Sequence, residues 1–172
     1  EPTATPDLTA TEVPELTATA SQEPAGETTA TPESEAAQAA VLPATEPYPV
    51  VLVDPPVDDE RAMLFDGAFD RSWHATVEAP GGEVVIVLDL GDAVPVSAIA
   101  WLAPEADPSD EVRFETGVMP DAWSLLWEGS IEPEGDWQIQ HAVVTCRYVR
   151  LTVVDRNGDG QVGGLAEVRI YP

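Results

Sequence analysis

Asp155, Asn157 and Asp159 alternate in the stretch DRNGDGQVGGLAE, with Gly160 directly behind them. Hard divalent cations want six to eight oxygens, supplied by carboxylates and carbonyls on a loop that can curl around the ion. Oxygen donors at positions one, three and five, with glycine at six, match the opening half of an EF-hand or dockerin-type calcium loop. Position twelve, which should carry a bidentate acid, is Ala166, and Glu167 stands one place late. No flanking helices are predicted, so an EF-hand fold is not implied. Two expectations stand: a helix-free calcium loop with Glu167 reaching back, or an Asn-Gly hairpin turn decorated with solvated acids.

Aromatic residues offer a second chemistry. A flat ring can lie against the apolar face of a pyranose while polar side chains grip its hydroxyls. The chain has five tryptophans. Trp101 and Trp127 fall within apolar strand patterns and are expected in the core. Trp123, in GVMPDAW, and Trp137, after EPEGD, are the expected exposed platforms. His141 sits in a strand and reads as structural. Cys146 is the only cysteine, which excludes an intrachain disulfide, and no base neighbours it, so a buried thiol is expected.

Enzyme signatures are missing. There is no Gly-rich phosphate loop, His-rich metal cluster or nucleophile elbow. Paired carboxylates discriminate nothing in so acidic a chain, and neither histidine has a partner at a catalytic spacing. A non-catalytic role is expected.

The elements that must position these residues read as strands. Tyr48 to Asp54, Glu83 to Leu90, Val96 to Ala103, Glu111 to Val118, Ser124 to Gly129 and Asp136 to Val144 are apolar runs separated by Pro, Gly and Asp clusters. In RYVRLTV, Val149, Leu151 and Val153 fall on one face and Tyr148, Arg150 and Thr152 on the other. In the closing LAEVRIY, Leu165, Val168 and Ile170 alternate, after an offset, with Glu167, Arg169 and Tyr171. Helical spacing is confined to a short turn near Asp58 to Leu64, and Pro95, Pro104, Pro108 and Pro120 all fit loops. The pattern predicts an all-β sandwich.

Four stretches recur in a fixed order: LFDGAFDRSWHA (Leu64 to Ala75), VVIVLDLGD (Val84 to Asp92), CRYVRLTVV (Cys146 to Val154) and GLAEVRIYP (Gly164 to Pro172). Together they resemble the discoidin family, which includes coagulation-factor type C domains and many bacterial carbohydrate-binding modules. The resemblance covers roughly Tyr48 to Pro172 and implies a galactose-binding-like jelly-roll sandwich with Trp73 in its core. It implies a structural calcium held by Asp66, Asp70 and Glu167. It also places Arg71 and His74 on the rim where ligand loops cluster. Family members usually have Thr or Ser just after the second acid; here Arg71 stands there, a fixed cation that would repel the ion.

Composition divides the chain. Residues 1–47 are mostly Thr, Ala, Pro and Glu, with nine acids, no Lys or Arg, and isolated aliphatics. Such a segment buries too little apolar surface to offset about 1–2 kcal/mol of backbone entropy per residue. It is expected to be a disordered linker, either an O-glycosylated stalk or an unmodified spacer. Residues 48–172 suit one domain of usual size. The chain carries 32 acids against 7 basic residues, all arginine, for a net charge of −25. A surface of that sign repels nucleic acid and anionic lipid and attracts cations. No apolar run approaches a membrane span. The sequence starts at Glu1 without Met or signal peptide, so a fragment is expected, with any signal, anchor or catalytic domain upstream. The expected role is an extracellular or cell-surface module binding a glycan or another surface ligand through loops at one end. The rivals are an adhesion domain making protein contacts without a sugar site, and an accessory domain of an upstream enzyme.

Overall fold

Two strands twice the expected length organise the domain. In a computed structural model, which describes residues 41–54, 59–133 and 135–172, eight strands form: β1 Val51–Asp54, β2 Trp73–Thr76, β3 Glu83–Leu102, β4 Glu111–Gly117, β5 Ser124–Ser130, β6 Trp137–Val154, β7 Gln161–Leu165 and β8 Glu167–Tyr171. A short helix, α1 Asp59–Ala62, runs into a 3₁₀ turn at Met63–Phe65, where the sequence placed its only helical spacing. The linker expected over residues 1–47 lies, up to residue 40, outside the described residues.

The larger sheet has the order β1-β3-β6-β4-β5, with β8 added to β3, and β2 pairs with β7. All these pairings are antiparallel. Strands β3 and β6 run alongside each other from Glu83↔Val154 to Leu102↔Trp137, with irregularities between Asp89 and Val94 and between Val96 and Ala98. The first half of β3 therefore meets β1, and its second half meets β8. This is an all-β jelly-roll-like sandwich.

Two pairs of expected strands are thus each one strand. Gly-Asp-Ala-Val-Pro at 91–95 reads as a loop but forms the irregular step in β3, with Gly91 at φ 87° and Pro95 opposite Thr145. A bulge tolerates a residue without an N–H, which is why Pro95 lies in a strand and not in a loop. Its carbonyl accepts a hydrogen bond from Tyr48 Oη at 2.8 Å.

The core follows the alternation. Val149, Leu151 and Val153 are buried with Ile86, Leu88, Val112 and Ile170. Each such side chain contributes about 1.5–3 kcal/mol by leaving water. Trp101 packs on Phe114 at 5.0 Å and on Trp127 at 4.9 Å between ring centres, and Trp73 is buried beside them in the same cluster. Cys146 is buried, and burial pushes its thiol pKa up. Tyr171, on the strand face opposite Val168 and Ile170, is buried as well. It joins Ala98 and Ala100 in a second small cluster capped by Leu42, Trp137 and Ile139.

Candidate functional site

The loops that follow β3 and β6 meet, and Asn157 and Asp107 touch across them. Leu102 at the tip of β3 pairs with both Trp137 and Glu167, while Trp73 pairs with Leu165. Gly163 and Gly164 make this convergence possible. Both have positive φ, and a Cβ on Gly164 would lie 2.2 Å from the Glu105 carbonyl oxygen; one on Gly163 would lie 2.5 Å from that of Trp73. Only glycine allows that approach. The Glu105 N–H donates to Gly164 O at 3.3 Å, holding the 103–110 loop against β7.

Between that loop, β2 and the 155–160 turn lies a cavity of about 180 Å³, lined by His74, Glu105, Asp107, Asp110, Asp159, Gln161, Val162 and Gly163. His74 Nε2 is 3.1 Å from Glu105 Oε2. Asp107 accepts from Ser109, which holds its pKa below the ordinary carboxylate range, and Asn157 Nδ2 donates to its Oδ2 at 2.8 Å. Asp110 is 4% exposed, and its Oδ1 has no hydrogen-bond partner. Burial raises its pKa to about 6, with the charges of Asp107, Asp155 and Asp159 adding to the shift while the Arg156 N–H opposes it. Four carboxylates and one histidine line the cavity, with no arginine among them.

A second acidic cluster sits where β8 meets the 66–72 loop. Glu167 is 3% exposed. Its Oε2 accepts the Gly67 N–H at 3.1 Å, and its Oε1 accepts from Arg169 Nε at 3.2 Å. Asp66 Oδ1 accepts the Ala68 N–H at 2.8 Å, and Asp66 Oδ2 is ion-paired to Arg71. The hydrogen bonds from Ala68 and Arg71 hold the Asp66 pKa down, whereas burial pushes that of Glu167 up. The Arg169 guanidinium also lies over the Phe69 and Trp137 rings, 5.1 and 4.9 Å from their centres. Those rings meet edge to face at 5.8 Å.

The residues singled out from sequence are distributed between these places. Asp159 and His74 line the cavity, and Asn157 reaches its wall. Asp155 is fully buried and caps its own turn, accepting the Gly158 and Gly160 N–H groups at 2.6 and 3.0 Å. Asp66, Arg71 and Glu167 come together in the second cluster, with Asp70 exposed nearby in sequence. Glu167 bonds there, to Gly67, and not to the 155–160 turn. Trp137 is half-buried beside Arg169; Trp123 is half-buried beneath Arg150, 4.6 Å from its guanidinium. The two rings do not share a surface, because Trp123 adjoins the Thr116↔Ser124 end of the β4–β5 hairpin and Trp137 follows the loop from its other end. Sequence reasoning missed Glu105, Asp107 and Asp110. Their only signal is an acid-rich segment between two strands, which this chain repeats elsewhere.

Among the described residues, no three His, Cys, Asp or Glu side chains converge in a way that could hold a metal ion. Among the described residues, no helix is long and apolar enough to cross a membrane.

No protein-family model matches the chain, and no curated protein does. Solved structures match its fold. The CBM32 of AlyQ, in complex with 4,5-unsaturated mannuronic acid, is 20% identical with a TM-score of 0.56, over 73% of this chain and 95% of that one. CBM32-1 from a family 31 glycoside hydrolase of Clostridium perfringens is 13% identical with a TM-score of 0.57, over 74% and 96%. A CBM32 module of another Clostridium perfringens protein, in complex with GalNAc-β-1,3-galactose, is 17% identical with a TM-score of 0.51, over 64% and 81%. The chain therefore shares the all-β, jelly-roll-like sandwich fold of these CBM32 structures.

Proposed function

We propose that the domain is a non-catalytic glycan-recognition module, working outside the cytoplasm, whose ligand enters the cavity between His74, Glu105, Asp107, Asp110, Asp159 and Gln161. The observation that carries this reading is a polar, open cavity of about 180 Å³ at the loop end of a fold shared with sugar-binding modules. Its carboxylates accept hydrogen bonds from hydroxyls, and Gln161 and His74 offer donors as well. The same lining sets a preference. Four carboxylates with no arginine among them repel uronic acids and sulfated sugars, so neutral and amino sugars are the expected class.

Calorimetric titration of the chain with neutral, amino, uronic and sulfated oligosaccharides tests this. Binding of neutral or amino sugars, weakened about tenfold or more in His74→Ala and Asp159→Asn, is the expected result, each lost polar contact being worth about 1–2 kcal/mol. Binding unaffected by both substitutions would remove the cavity from the proposal.

A protein-contact role draws on a different observation. Val118 and Met119 are exposed beside a groove shared with Val144 and Thr145, at the β4–β5 turn. Truncating them should leave sugar titrations unchanged and would alter only binding to a protein ligand.

A further inference from the structure

We propose that Arg71 and Arg169 take the part of a structural divalent cation at the junction of β8 and the 66–72 loop, so that this junction is closed by the protein's own charges and needs no metal. A carboxylate as buried as Glu167 requires a counter-charge and hydrogen bonds to all its lone pairs to persist ionised. A calcium ion would supply both at once, drawing oxygens from the loop and from the closing strand. Here the four oxygens of Asp66 and Glu167 each already have a protein donor: the Ala68 and Gly67 N–H groups on one side, the Arg71 and Arg169 guanidiniums on the other. An ion entering between them would have to displace two fixed cations.

Arg169 does more than neutralise. Its guanidinium lies over Phe69 from the loop and Trp137 from β6 while it bonds Glu167 on its own strand. One side chain thus ties three segments together, which is the mechanical task of a structural ion. A planar delocalised cation suits this, since it stacks on rings and bonds a carboxylate together.

The test uses the whole chain. Thermal unfolding is followed in millimolar calcium and in chelator at matched ionic strength, with amide and Arg Nε–H resonances recorded in both. The expected result is a midpoint difference of no more than about 1 °C and unmoved Gly67 N–H and Arg169 Nε–H signals. A calcium-dependent rise of several degrees with those two signals displaced would overturn the proposal. A rise with them unmoved and the Asp159 N–H displaced would put the ion in the other cluster and support a closed junction here. Independently, Arg71→Thr combined with Arg169→Gln should unfold about 5–10 °C lower in chelator, with calcium recovering part of the loss. An unchanged midpoint in that double variant would also overturn it.

Discussion

Two acidic clusters of this sandwich, one at Glu167 of β8 and one beside Asp159 before β7, meet their charge differently. Around Glu167 every carboxylate oxygen of Asp66 and Glu167 has a donor, and two arginines balance two acids. Around Asp110, the charges of Asp107, Asp155 and Asp159 bear on one buried carboxylate whose Oδ1 has no partner, and the Arg156 side chain is committed to Glu111 at 2.6 Å. The first is a finished joint. The second stores electrostatic repulsion beside an open cavity, as sites do when their counter-charge or hydrogen bonds are to come from a ligand. Charge count alone separates nothing in a chain this acidic; compensation does.

The sharpest way to break the contrast is to unbalance the finished joint. Arg169→Ala leaves Glu167 buried without its cation and removes the stacking on Phe69 and Trp137. It should cost about 3 kcal/mol in urea unfolding, since breaking a buried pair strands a charge. A loss below about 1 kcal/mol would show that the joint is not tight.

Relieving the other cluster should do the reverse. Asp110→Asn removes a buried charge and should stabilise the domain at pH 7.5 by on the order of 2 kcal/mol. The sign follows from the raised pKa: the folded state binds this proton more tightly than the unfolded chain, so the wild type gains stability as pH falls through about 6 towards 3.8. The advantage of the variant should therefore be present above pH 6 and vanish near pH 4. An advantage independent of pH would point to some cause other than charge.

Smaller effects complete the series. Trp137→Ala should cost about 1–2 kcal/mol, because its ring is half-buried against Arg169, Phe69 and the Tyr171 cluster. Asp107→Asn together with Asp159→Asn should change stability by less than about 0.5 kcal/mol in either direction yet narrow the discrimination between neutral and anionic sugars. A stability change as large as that of Asp110→Asn would make those two acids part of the joint instead of the site.

Much of the architecture was written in alternation. Val149, Leu151 and Val153 could only face inward, and the four ordered stretches carried the fold resemblance. The continuity of β3 and β6 was not legible, because Gly91 and Pro95 carry the same signals in a bulge as in a turn. Nor was the burial of Tyr171, which depends on Leu42 arriving from outside the strand pattern. For the site, residue types were readable and their company was not. Asp155 has the signature of a loop ligand because capping a tight Asx-type turn asks for the same side chain. Glu105 and Asp110 acquire significance only when two glycines let their loop close on β7.

The continuity of β3 and β6 has a kinetic side. Glu83 pairs with Val154 far along the chain, and among the described residues the β4–β5 hairpin is the one pairing between strands consecutive in sequence. Such non-local closure places folding in the slow range of small β domains, from milliseconds to seconds. It also joins β1, β4, β5 and β8 into one sheet, because the same two strands carry them all. A sugar held at the loop end would then delay the loss of the whole sheet, and its binding could be read from the melting of strands it never touches.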